Sequence, residues 1–303
     1  MPSAKPSSRS RAVPPCELKR QVEKPAPVDD LGLPFHERIQ DPAFRRAVDL
    51  LDGGDVEGLR AHLSANPNLL QQRVAFEGGN YFQNPSLLEF LAENPIRRGK
   101  LPANIVEVAR VILEAGAKKD RAMLNGTLGL VCTGRVPREC GVQIPLIDLL
   151  CDYGADPNLG MPGAHGEFEA AHALLRRGAR VDLPVAAALE RVADARRLLS
   201  AASPEDRHRA LALSAQFGHT EIVRMLLDAG EDPNRYNPPG FHAHSTPLHQ
   251  AALAGHQDTV RLLVERGARL DWKDTIWQGT PEEWATYAAK TQVAEYLRSR
   301  TRQ

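Results

Sequence analysis

His242 and His244 stand two apart in the segment Asn234-Arg235-Tyr236-Asn237-Pro238-Pro239-Gly240-Phe241-His242-Ala243-His244-Ser245. Imidazole and carboxylate are divalent-metal ligands, and alternate side chains of an extended chain point to one side. His242 and His244 could therefore share an ion, with Asp274 as a third ligand, although no third ligand lies at a diagnostic spacing. Tyr236, Phe241, Trp272 and Trp277 also gather here, in a chain only 5% aromatic. Exposed aromatics with polar neighbours are common anchors of a binding surface. Three readings stay open: aromatics that buttress loops while the histidines bond backbone, a partner-binding patch, or a metal held by His242, His244 and Asp274.

Other chemistry finds little support. The sequence has no Gly-x-x-x-x-Gly-Lys loop, no Gly-x-Ser-x-Gly elbow and no His-Glu-x-x-His helix. Cys16, Cys132, Cys140 and Cys151 form no Cys-x-x-Cys pair, and the spacings of the last three match no zinc pattern, so free thiols are expected. Lys plus Arg and Asp plus Glu number 38 each, so no global field draws the chain to nucleic acid or lipid. The compact basic loop of Arg97, Arg98 and Lys100 is too short to change that. Asp194, Glu205 and Asp206, set among arginines, read as solvated or helix-capping. No apolar run is long enough for a membrane span, and the first residues lack a secretory apolar core, so a cytoplasmic location is expected.

The elements that must position these side chains repeat. Leu248, Ala251, Ala252 and Gly255 share one helical face, and Val260, Leu263, Val264 and Gly267 share another. Leu211, Ser214, Ala215 and Gly218, then Val223, Leu226, Leu227 and Gly230, repeat both faces 37 residues earlier. Thr280-Pro281 echoes Thr246-Pro247, and Val293, Tyr296 and Leu297 follow. Thr246 can cap the first helix, and Pro247 suits its first position. Gly255 and Gly267 suit left-handed helix ends. His219 and His256 follow glycines in equivalent turns, which argues for a structural role. The segment 234–245 supplies the four residues that stretch a 33-residue period to 37.

Thr-Pro-Leu-His-Gln-Ala at 246–251, Gly-His at 255–256 and Leu-Leu-Val-Glu-Arg-Gly-Ala at 262–268 resemble an ankyrin repeat. The resemblance implies antiparallel helix pairs stacked side by side, with β-turn fingers projecting from them. It also implies that His249 bonds backbone in the finger region. Residues 234–245 and the Asp274–Gln278 stretch then become neighbouring fingers.

Weaker copies precede. Residues 44–51 and 56–63, joined by Gly53-Gly54, read as a first pair. Residues 84–88 start a second, closed by 105–117 with Gly116 as stop. A third runs from Thr127 to Asn158, and compact units end near Gly178-Ala179 and Leu198-Leu199. Residues 93–104 and 133–144 are enlarged loops, and the short spacing over 159–200 requires a clipped helix. Glu282 and Glu283 suit a polar end cap.

The expectation is an all-α solenoid of about eight units over 41–303, divergent over 41–205 and well formed over 206–303. Residues 1–40, Pro/Ser-rich and basic, are expected to be a disordered tail. The expected function is a monomeric, non-catalytic scaffold, without cofactor, metal, nucleic acid or membrane insertion. It would bind another protein on the concave face of fingers and inner helices, through Tyr236, Phe241, His242, His244, Asp274 and Trp277. The alternatives are a metal-binding or enzymatic protein using the His-rich finger 241–249, or a secreted effector whose tail is an address.

Overall fold

The computed structural model describes residues 39–74, 84–93, 96, 98–159 and 166–301. The expected tail lies outside them, except for residues 39 and 40. The described residues are helical, apart from turns and one isolated bridge between Arg73 and Ser86. They divide into two compact units that meet in sequence at Arg180 and Val181.

In the first unit, α1 (Pro42–Gly53) and α2 (Val56–Ala65) form the expected opening pair. Asp41 accepts from Ala43 and Phe44 N–H to start α1, and Gly54, at φ 68°, ends it. The second pair departs from expectation. Its first member is a short 3-10 helix, Leu88–Ala92, because Glu93 turns left-handed at φ 51° and stops it; α3 (Ile105–Ala115) follows. Phe44 and Phe90 meet at 5.8 Å in the core beneath.

Helix α4 (Arg121–Thr133) begins before the expected Thr127, because Asp120 caps it by accepting from Met123 N–H at 2.9 Å. Thr127 is interior, its hydroxyl donating to the Met123 carbonyl. The enlarged loop over 133–144 contains a short helix, α5 (Arg135–Glu139), before α6 (Gln143–Asp152). Gln143 Nε2 donates to the Val131 and Cys132 carbonyls, which pins that loop to the end of α4. Helix α7 (Phe168–Arg176) closes the unit against α6.

The second unit holds α8 (Leu183–Ala188), α9 (Val192–Leu198), α10 (Pro204–Phe217), α11 (Thr220–Asp228), α12 (Pro247–Ala254), α13 (Gln257–Glu265), α14 (Pro281–Tyr287) and α15 (Thr291–Thr301). Helices α8, α10, α12 and α14 pack in succession as an inner row, and α9, α11, α13 and α15 as an outer row. Alanines keep the inner row close: Ala186 and Ala187 on α8, Ala210 and Ala215 on α10, and Ala251 and Ala252 on α12 are fully buried. The clipping foreseen over 159–200 falls on α8 and α9, of six and seven residues.

The expected turn chemistry is present. Gly218 and Gly255 end α10 and α12 at φ 78° and 85°. His219 Nδ1 lies 2.7 Å from the Ala187 carbonyl, and His256 Nε2 lies 3.1 Å from that of Gln216. Each histidine thus ties its own turn to the preceding inner helix. Glu283 and Thr280 form a capping box at α14, and Glu282 pairs with Arg298, so both acids expected in the end cap have structural partners.

Candidate protein-binding fingers

Two loops project between the outer and inner rows: residues 229–246, from α11 to α12, and residues 266–280, from α13 to α14. Asn234 joins their roots. Its Nδ2 donates to the Gly267 carbonyl at 3.0 Å, and its Oδ1 accepts from Arg269 N–H at 2.8 Å. Higher up, the Tyr236 hydroxyl donates to the Lys273 carbonyl at 2.7 Å, and its ring stacks on Trp272 at 5.1 Å. Thr275 N–H donates to the His244 carbonyl at 2.9 Å. The second finger is thereby tied to the first at three levels.

Asp274 organises the second finger. Its Oδ1 accepts from Ile276 and Trp277 N–H, and its Oδ2 from Gly279 N–H and the Trp284 indole. Burial acts to raise its pKa, but the four donors outweigh burial and hold the carboxyl below its ordinary value. Carboxylates accept several hydrogen bonds at once, so this side chain closes the turn with its buried charge solvated by N–H donors.

His249 supports the same turn from α12. Thr246 N–H and the Thr246 hydroxyl both lie within hydrogen-bond range of its Nδ1. The backbone N–H can only donate, so Nδ1 is the acceptor and the proton sits on Nε2, which donates to the Gly279 carbonyl at 3.1 Å. The backbone role implied by the resemblance is therefore present. Burial pushes the His249 pKa down to about 4, keeping the ring neutral at pH 7.

The six expected contact residues separate. Phe241 (6% exposed) and Asp274 (0%) are buried, so they hold the loops up from within and present no surface to a partner. His242 is exposed but left-handed at φ 63°, so 242–244 is a turn and the expected strand alternation does not hold. The His242 and His244 rings meet edge to face at 6.0 Å, and His244 and Trp277 do so at 5.1 Å. Asp274, saturated by N–H donors, has turned away from any ligand role. Among the described residues, no group of three or more His, Cys, Asp or Glu side chains is placed to hold a metal. Trp277 is half-buried against His244 and Trp284, while Tyr236 keeps 36% of its surface exposed.

Two residues of this site escaped the sequence reading. Ile276, 59% exposed, is the most exposed large apolar side chain among the described residues. Its only sequence cue is an Asp two residues before it, the start of a side-chain-bonded turn. Trp284, 3% exposed on α14, sits beneath the finger with His244, His249 and Trp277 around it. Away from the fingers, burial pushes the Cys132 thiol up to about 12, which removes it as a nucleophile at neutral pH. No helix among the described residues is long and apolar enough to cross a membrane.

Known proteins share this organisation. A family model described as ankyrin repeats (3 copies) matches residues 183–274. Human cyclin-dependent kinase inhibitor 2A is 34% identical over 121 residues, which are 39% of this chain and 75% of the inhibitor. Human cyclin-dependent kinase 4 inhibitor B is 33% identical over 150 residues, 48% of this chain and 97% of the inhibitor. The mouse inactive serine/threonine-protein kinase TEX14 is 36% identical over 91 residues, 29% of this chain but only 6% of that protein. Family pattern, helix pairs, capping boxes and turn histidines agree: the chain belongs to the ankyrin-repeat proteins.

Proposed function

We propose that this chain is a monomeric, non-catalytic binding module that holds a partner protein on the tips of the fingers 234–245 and 269–279. The observation that carries the reading is Ile276. A large apolar side chain stands mostly in solvent on a turn whose base is fixed by the four donors to Asp274. Exposing such a group costs solvation free energy, and fixing its backbone in advance lowers the entropy lost on association. Tyr236, also exposed and stacked on Trp272, extends the apolar area beside it. The ankyrin repeats matched over residues 183–274, and relatives whose names describe inhibitors of cyclin-dependent kinases, support protein contact and leave the partner open.

The contact set is then Tyr236, Ile276, His242 and the open edges of His244 and Trp277, with Phe241 and Asp274 as supports. Affinity purification from the native cell tests it, with wild-type and Ile276→Asp proteins compared by quantitative mass spectrometry. A protein enriched by wild type and lost with the variant supports the reading. Equal recovery by the two would overturn it.

A further inference from the structure

The first finger is gripped by α10 as well as by the second finger. Arg207 Nε donates to Glu231 at 2.9 Å, and the imidazole of the next residue, His208, hydrogen-bonds the Tyr236 backbone. Tyr236 is thus held from two sides: its backbone by His208, its ring by Trp272 and its hydroxyl by the Lys273 carbonyl. Ser245 stands 37 residues after His208, so this contact is no part of the repeated pattern.

His208 is buried, and its Nε2 has no partner among the described residues. A second ring proton would find no protein acceptor there, and a charge on the ring would be poorly solvated. Burial is the largest influence on this ring. With Arg235 it holds the pKa below the ordinary 6.5, against the pull of Glu231, Asp232 and the Tyr236 bond. Glu231 is already paired with Arg207, and Asp232 accepts from Asn234 N–H. The packed elements add no free counter-charge. On α10 itself Glu205 and Asp206 pair with Arg209, and α8 has no titratable side chain. His249 of α12 is turned to Thr246 and Gly279, and Glu221 and Asp228 of α11 pair with Arg196 and Arg266. We infer that His208 is a proton-operated latch on Tyr236: on taking up a proton the ring leaves the finger root, the first finger loosens, and the second finger loses its Tyr236 support. This regulates the finger-tip site proposed above and rests on that reading. The latch is closed at pH 7 and opens as pH falls from 6.5 toward the lower folded value.

Hydrogen exchange of the free, full chain between about pH 7.5 and pH 5, corrected for intrinsic amide rates, tests the latch. Opening of 234–245 should grow by up to about tenfold per pH unit below 6.5, while α12 and α13 lose less protection. His208→Gln keeps a donor and removes the titration, so it should not show this opening. Arg235→Gln, on the surface, should move the onset to higher pH. No opening in wild type, an equal loss on α12 and α13, the same opening in His208→Gln, or an unmoved onset in Arg235→Gln would each overturn the latch. Partner capture then ties it to function. Proteins whose recovery at neutral pH depends on Ile276 should be recovered less by wild type in mild acid, and His208→Gln should blunt that loss. An equal loss in the variant, or none in wild type, would overturn the regulation and leave the finger-tip reading standing. Recovery that never depends on Ile276 would overturn the finger-tip reading and, with it, the regulation, whereas the exchange result decides the latch itself.

Discussion

Asp274 Oδ2 accepts the indole N–H of Trp284 at 3.0 Å in a buried contact that bridges a finger and the helix after it. The same carboxylate receives three backbone N–H groups of its own turn. One side chain thus connects the rigidity of the presented loop to the stability of the last inner helix. Asp274→Ala would leave these donors without an acceptor and is expected to cost about 3 kcal/mol, since each buried unsatisfied donor costs roughly 1–3 kcal/mol. Urea denaturation followed by circular dichroism measures it. A midpoint unchanged from wild type would mean that water satisfies the turn unaided.

Acid should weaken the second unit. His249 falls from an ordinary 6.5 to about 4 in the folded state, so the unfolded chain takes up the proton first as pH drops. The contribution of the neutral ring is complete above about 6.5 and is lost progressively down to about 4, worth about 3 kcal/mol. His208, His244 and His256, lowered chiefly by burial, act in the same direction. Stability profiles between pH 7.5 and 4.5 should slope accordingly, and His249→Gln should reduce the slope by about one proton. An equal slope in the variant would contradict the buried neutral ring.

Two glycines with similar backbones separate strain from space. Gly218 and Gly267 have φ 78° and 87°, where any side chain costs about 1–2 kcal/mol. A Cβ at Gly218 would meet His256 Nδ1 at 2.5 Å, whereas one at Gly267 meets nothing within 4 Å. Gly218→Ala should therefore destabilise by at least about 1 kcal/mol more than Gly267→Ala, because His256 must leave the Gln216 carbonyl. Thermal melts of both variants decide this, and equal losses would show that His256 moves without penalty.

Core and surface substitutions should behave oppositely. Leu263 on α13 is fully buried, and Leu263→Ala is expected to lose about 2–5 kcal/mol through the cavity it leaves. Ile276→Asp, in solvent, should change the melt by less than about 0.5 kcal/mol. Trp277→Ala falls between, losing about 1 kcal/mol from its contacts with His244 and Trp284, so it mixes stability with binding. A stable Leu263→Ala protein would contradict the assigned helix face.

The repeat was legible because helix faces and stops are local. The Leu248-Ala251-Ala252 and Val260-Leu263 spacings, with Gly218 and Gly255 as stops, each depend on a few neighbouring residues. Such signals dictate α10 to α13. The start of α4 is not legible because its cap, Asp120, carries no sign of the helix beyond its own residue type, and the brevity of the 3-10 helix Leu88–Ala92 is not legible because Glu93, which stops it, carries no glycine-like cue. In the finger, the aromatic cluster showed in composition, but burial did not. Phe241 and Asp274 look like surface residues in a polar loop, but both are buried, Asp274 within its own turn and against Trp284. Trp284 lies on the following helix, so its bond to Asp274 has no local signature.

Backbone hydrogen exchange of the complex with the captured partner tests the central claim most directly. Protection should rise at amides of 234–245 and 272–279 and stay unchanged on the outer helices α11 and α13. Protection confined to those outer helices, with the fingers exchanging as in the free protein, would contradict it.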